Sequence, residues 1–160
     1  ANSFNTAFAA LAAGDTLIID STHNEEISTT ALVLNFPGTI GNPNIVISCV
    51  YGTTTYARGA KLYIASNNFT LNGYAFHKGI TWSIDNTTTL NYDLLFGSVI
   101  PCTQAFDDCL LYNGLRGSSS EIKFGAATNA DPPVFKLINT DLSVGSFIKV
   151  VSGVIEMSGG

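Results

Sequence analysis

The spacing of apolar positions changes once along this chain. Between Ser3 and Ala13 the large apolar residues Phe4, Phe8 and Leu11 recur at helical spacing, with alanine at 7, 9, 10, 12 and 13. Ser3 precedes the run and can accept from the first free backbone N–H groups, so it predicts the N-cap. Gly14 stands where a helix end wants a left-handed residue. Beyond it the pattern is that of strands, beginning with Thr16-Leu17-Ile18-Ile19. No second helical pattern follows. One helix ahead of strands alone predicts a lid over the first apolar layer of a β-structure.

The strand pattern continues to the last residues. Ser21 to Thr30 is polar and reads as a turn carrying His23, Glu25 and Glu26. Ala31–Phe36 and Ile45–Ile47 read as strands, joined by a Gly/Pro/Asn-rich turn from Pro37. Tyr51 to Gly59 is a polar excursion. Strands are then predicted at Lys61–Ala65, Phe69–Leu71, Ile80–Ile84, Tyr92–Ile100, Phe106–Tyr112, Glu121–Phe124, Val134–Asn139, Phe147–Val151 and Val154–Met157. Several are apolar at consecutive positions (LIID, IVISCV, FKLI), as strands buried in parallel sheets are. Grouped in threes they give turns of roughly 20 to 40 residues, a solenoid-like length.

The stretch Gly14-Asp15-Thr16, a strand, then Gly38-Thr39, Asn42-Pro43 and Ile47 resembles the opening of right-handed parallel β-helix proteins, the pectin-lyase-like solenoids. The resemblance covers about the first fifty residues. It implies an all-β fold: a right-handed parallel β-helix with a short N-terminal capping helix at residues 1–15 and β-helix turns from 16 to 160, with room to continue beyond Gly160. A β-sandwich is the second reading, since short strands divided by turns also build one. The scarcity of two-residue hairpin signals speaks against it, Asn72-Gly73 and Asn113-Gly114 being the only Asn-Gly pairs.

Composition narrows the function. Charged residues are 12% of the chain, about half the usual roughly 25%. Thr, Ser and Asn supply 45 residues of polar surface instead. The net charge is −5 and the seven basic residues are scattered, which argues against nucleic-acid binding. No apolar run approaches the roughly 20 residues of a membrane span. Cys49, Cys102 and Cys109 each lie in or beside an apolar stretch and read as buried thiols, with a Cys102–Cys109 disulfide open as an alternative. Neither histidine lies near a cysteine pair, so no metal or other cofactor is expected.

Candidates for chemistry are few. In β-helix lyases and hydrolases, the resemblance implies clustered carboxylates with a Lys or Arg on one long face. Asp107-Asp108 is the nearest match, but adjacent strand residues point to opposite faces. Glu25-Glu26 with His23 offers a metal or acid/base site, or a solvated loop. Asp85 and Asp93 flank a Thr-rich corner without a calcium-loop pattern. His77 reads as a surface histidine at a strand end. Asp15 is expected to fix the helix-to-strand turn through its side chain. Asn68-Phe69-Thr70 and Asn86-Thr87-Thr88 match the glycosylation acceptor formally, and turn chemistry explains both. Tyr63, Tyr74 and Trp82 are candidates for a glycan or partner surface.

Low charge and abundant Thr, Ser and Asn are similar to bacteriophage structural β-helix proteins. The expected function is thus non-enzymatic: a virion component, such as a capsid decoration, head fibre or tail protein, that self-associates (a trimer being plausible) and docks on other virion proteins. The alternatives are the first part of a polysaccharide lyase or depolymerase, or a secreted carbohydrate-binding module that holds surface polysaccharide. Phe147 to Met157 is strand-like to its end, which predicts an apolar layer there that something covers: more polypeptide, another subunit or a neighbouring protein.

Overall fold

The computed structural model describes residues 3–85, 90–98, 102–114, 120–126, 132–144 and 147–159. These form an all-β structure of fifteen strands preceded by one short helix, α1 (Phe4–Ala9). Ser3 caps α1 as expected, its hydroxyl accepting from Thr6 N–H at 3.3 Å. The helix is shorter than the apolar spacing predicts. It stops at Ala9 because the chain must turn back toward the first strand, and side chains satisfy the freed backbone groups. Ala12 N–H donates to Asp15 Oδ2 at 2.8 Å, the role expected of Asp15. Asn42 and Asn44 donate to the carbonyls of Ala13 and Ala12 at 3.0 and 2.7 Å. The two halves of the Gly-Asp-Thr and Asn-Pro motif therefore meet in space.

The strands run in three ladders, parallel at every pairing. The first contains β1 (Thr16–Asp20), β4 (Asn44–Cys49), the second half of β6 (Phe69–Lys78), β9 (Thr103–Asp107), β12 (Val134–Ile138) and β15 (Val154–Ser158). The second contains β2 (Asn24–Ser28), β5 (Lys61–Ile64), β7 (Thr81–Ile84), β10 (Leu110–Asn113) and β13 (Asp141–Val144). The third contains β3 (Leu32–Phe36), the first half of β6, β8 (Leu94–Phe96), β11 (Glu121–Phe124) and β14 (Phe147–Val150). Because β6 belongs to two ladders, the first and third merge into one ten-stranded sheet, and the second is a separate five-stranded sheet. This parallel pairing departs from the antiparallel sheets of a β-sandwich.

Register partners recur at separations of 20 to 37 residues across the three ladders. Thr16 pairs with Ile45, Ile45 with Phe76, Phe76 with Ala105, Ala105 with Lys136 and Lys136 with Glu156, steps of 29, 31, 29, 31 and 20 residues. Residues at one register position stack into columns. Val46, His77, Phe106 and Leu137 form one buried column; Leu62, Trp82 and Leu111 form another. Aromatic rings knit neighbouring columns, as where Phe96 stacks on Phe124 at 5.3 Å and meets Phe106 edge-on at 5.1 Å. The apolar members of these two columns and the rings of Phe96 and Phe124, with Phe4 of α1, belong to one core. Removing a ring such as that of Phe106 should cost about 3–5 kcal/mol.

Corners set the turns between strands. Gly73 bends β6 with φ 87°, where a Cβ would overlap the Phe36 carbonyl oxygen. Between the first and second ladders the same corner recurs at Gly79, Asp108 and Asn139, with φ of 68°, 52° and 46°. Asp and Asn are the non-glycine residues that tolerate this region best. The expected strand Phe106–Tyr112 is therefore two strands around a corner at Asp108-Cys109. The expected polar turn at 21–30 contains β2, which buries only Ile27 and so carries a weak strand signal.

Candidate functional site

The densest group of ionisable side chains sits on that recurring corner. The excursion after β4 folds over it and places Tyr56 and Arg58 against three corner strands. Tyr56 O–H donates to the Asp108 carboxylate. Arg58 donates to Asp108 Oδ1 at 2.9 Å and to Asp141 Oδ2 at 3.0 Å. Lys78 pairs with Asp107 at 2.7 Å and stands 5.0 Å from the centre of the Tyr56 ring. The left-handed corner at Asp108 alters the alternation expected from sequence: Asp107 and Asp108 each reach a partner on the outer surface.

The electrostatics of this group oppose acid/base work. Each carboxylate already holds a cation. Burial, then the hydrogen bond to Asp108, raises the Tyr56 phenol above its ordinary value, so it keeps its proton. The bond to Asp141 raises the Arg58 guanidinium, which remains charged. The arrangement is a strap that ties the excursion to the corners of β6, β9 and the start of β13. Sequence reading offers Tyr56 only as one of several aromatics for glycan stacking and gives Arg58 no role; the polar run around them gave no sign of where the excursion would land.

Three further carboxylates are similarly occupied. Asp85 pairs with Lys61 and accepts from Ser83 Oγ at 2.9 Å. Asp93 pairs with Lys123 at 2.7 Å, and Glu121 meets the same lysine at 2.8 Å. That lysine holds the Glu121 carboxyl below its ordinary value. Asp85 and Asp93 thus belong to different pairs. Among the described residues no group of three or more His, Cys, Asp or Glu is placed to hold a metal.

His23 and Glu25 do come together, at 2.7 Å, whereas Glu26 is exposed on the other face of β2. Glu25 occupies the column of Leu62 and Trp82 at the end covered by α1. There it accepts from Phe4 N–H at 2.9 Å, so the pair fastens the helix. A cleft of about 160 Å³ opens beside it between α1 and β1, lined by Phe4, Ala7, Leu17, Ile18, Asp20 and His23 among others. It is mostly apolar, and Asp20, the acid of its lining, accepts from Thr22 N–H and Oγ1 at 2.9 and 3.1 Å.

His77 is interior, contrary to its reading as a surface histidine. Its ring stacks on Phe106 at 4.7 Å, and Nε2 lies 3.1 Å from Gln104 Oε1. Burial pushes its pKa down to about 3, so it is neutral at pH 7. All three cysteines are free and buried. Burial pushes Cys102 up to about 11 and Cys109 up to about 12, far from a reactive thiolate.

The three aromatic candidates do not assemble. Trp82 is fully buried between Phe4 and Phe69 and presents nothing to a surface glycan. Tyr63 lies in the five-stranded sheet beneath Lys61, and Tyr74 lies in the other sheet. Asn68 uses its side-chain oxygen to accept from Asp93 N–H at 2.9 Å, in keeping with turn chemistry; Asn86 lies outside the described residues.

One surface stands apart. β13, β14 and β15 are the terminal strands of the three ladders. Ile148 and Val150 continue the columns of Ile122 and Phe124, and Met157 continues that of Leu137. Their column partners are 0 to 2% exposed, yet Ile148, Val150 and Met157 are 48, 54 and 69% exposed. The core columns run out into solvent with three strand edges beside them. Comparison with protein families, with curated proteins and with solved structures finds no match to this chain.

Proposed function

We propose that the chain is a right-handed parallel β-helix, capped at one end by α1, that works as a non-enzymatic assembly protein. The resemblance in sequence supports a role as a bacteriophage virion component: a capsid decoration, head fibre or tail protein that docks on other subunits. The observation that carries the proposal is the ion pairing of the corner carboxylates, Asp107 with Lys78 and both Asp108 and Asp141 with Arg58. The exposed apolar residues Ile148, Val150 and Met157, beside strand edges, form a surface for more polypeptide, another subunit or a neighbouring protein to cover. The recurring register and the α1 lid support the β-helix reading. Pairing of the corner carboxylates with Lys or Arg supports a structural role over a catalytic one. A rigid stack of parallel strands also loses little ordering entropy when it docks.

The test is the mass and composition of native assembled material, by mass spectrometry beside light scattering, with peroxide oxidation of Met157 as a footprint. An assembly in which Met157 resists oxidation supports the proposal. A lone monomer with Met157 freely oxidised, or one that cleaves acidic polysaccharide, overturns it.

A further inference from the structure

The outer faces of the three ladders differ. The second ladder turns Asn24, Glu26, Lys61 and Thr81 outward, and the third turns Asn35, Lys123 and Lys149 outward. The first is apolar on both sides. Val46, Ala75 and Phe106 point inward and are buried. Ile45 and Ile47 of β4 and Tyr74 and Phe76 of β6 point outward and are partly exposed, with Ile18 of β1 beside them at 46%. Parallel strands that are apolar on both faces are strands covered on both faces. Charge singles out the same surface. Across it Lys78 pairs with Asp107 and Lys136 with Glu156, so these charges cancel on a chain whose net charge is −5.

We infer that the outer face of the first ladder packs on the same face of a second copy of this chain, the two sheets lying about 10 Å apart. This rests on the assembly reading above and names its partner. The face is self-complementary about a twofold axis that runs along the column Ile45, Phe76 and Ala105. Each residue of that column then meets its own copy, apolar against apolar. The flanking columns exchange, as an isologous contact requires. Tyr74 then faces Lys78, Thr103 faces Asp107 and Val134 faces Ile138. A ring meets a cation, a hydroxyl meets a carboxylate and two aliphatic side chains meet, while Lys78 and Asp107 keep each other. Packed sheets cross at about 30°, so contact is closest around Phe76. Lys136 lies farther along the column, stays beside Glu156 and swings clear of its copy. Five strands about 4.8 Å apart, each turning out residues about 6.6 Å apart, make a patch of roughly 500 Å² per chain. That is less than the roughly 800 Å² of a standard interface, so the dimer should be weak, with a dissociation constant of roughly 1–100 μM.

Sedimentation velocity and light scattering of the purified chain, up to about 1 mM, should show a monomer–dimer equilibrium. Phe76→Glu, checked for wild-type melting, should raise the dissociation constant about tenfold or more. Cysteine variants locate the contact while leaving the large apolar residues in place. Ala105→Cys lies on the axis, and Thr81→Cys lies on the outer face of the five-stranded sheet. The three native cysteines are buried, so the added thiol is the one that reacts. A bismaleimide that spans about 10 Å should join Ala105→Cys chains into dimers and leave Thr81→Cys chains single. A wild type that is monomeric at every concentration or trimeric, a folded Phe76→Glu that dimerises unchanged, or equal cross-linking of the two cysteine variants would each overturn the inference. If native material instead has this face covered by a different protein, the second copy is wrong and the assembly reading stands. A lone native monomer with Met157 freely oxidised removes both.

Discussion

His77 should make this protein lose stability as the pH falls through a range where carboxylates still hold their charge. Its imidazole has no exposed surface and stacks between Val46 and Phe106 in a continuous column. Its pKa is about 3 in the folded chain, against roughly 6.5 when unfolded. Between these values the unfolded chain binds a proton that the native chain does not, so stability rises with pH across the window. The contribution is complete above about pH 6.5 and is lost progressively toward pH 3. One proton is worth about 1.4 kcal/mol per pH unit, so lowering the pH from 6.5 to 5 should remove about 2 kcal/mol. The control is His77→Phe with Gln104→Met, which keeps a ring on Phe106 and removes both the titrating group and its amide partner. Urea unfolding at pH 7, 6 and 5 gives the stabilities. His23 and every carboxylate remain in the double variant, so the difference between the two proteins isolates His77. Parallel loss of stability in both proteins would refute the argument, because His77 would then be able to protonate without unfolding.

Three other outcomes are expected. Gly73→Ala should cost more than about 2 kcal/mol in urea unfolding, since the corner needs a left-handed backbone and the added Cβ meets the Phe36 carbonyl; a cost below about 0.5 kcal/mol would show that β6 can straighten. Arg58→Ala should change global stability by less than about 1 kcal/mol, because its ion pairs are exposed. It should nevertheless speed limited proteolysis between Tyr51 and Gly59, and unchanged cleavage would mean that the strap does not hold the excursion. All three thiols should resist alkylation in the native state at pH 8 and react on unfolding, and rapid native labelling of Cys102 or Cys109 would contradict their burial.

The short helix, the β content and the strands that continue to Ser158 are visible in the sequence because each rests on local rules: a cap at Ser3, β-branched runs, and an apolar segment continuing to Met157. Turns of roughly 20 to 40 residues follow from grouping the strands in threes, but the register of the columns was hidden for two reasons. Column positions are filled by dissimilar residues, as in Val46, His77 and Phe106, so no letters recur. Corners are made by Gly, Asp and Asn alike, so Asp108 looked like the middle of a strand. The second half of β6 was missed because Gly73 reads as a break, whereas here it bends one strand through two ladders. The site was less legible still. Residues 52 positions apart meet in the Tyr56–Asp108 contact, and Arg58 reaches Asp141 across 83 positions. Nothing local encodes such meetings. The burial of His77 and Trp82 follows from which ladder they join, and periodicity in one strand does not reveal that.

The ladder register gives this architecture an unusual tolerance for changes of length. Apart from β6, which joins two ladders, each strand is hydrogen-bonded only to the preceding and following members of its ladder, so a longer or shorter connection leaves the pairing register unchanged. Loss of a single residue inside a strand would instead turn every later side chain in that strand to the wrong face. Changes of length thus fall on the connections, where the separation of register partners already ranges from 20 to 37 residues.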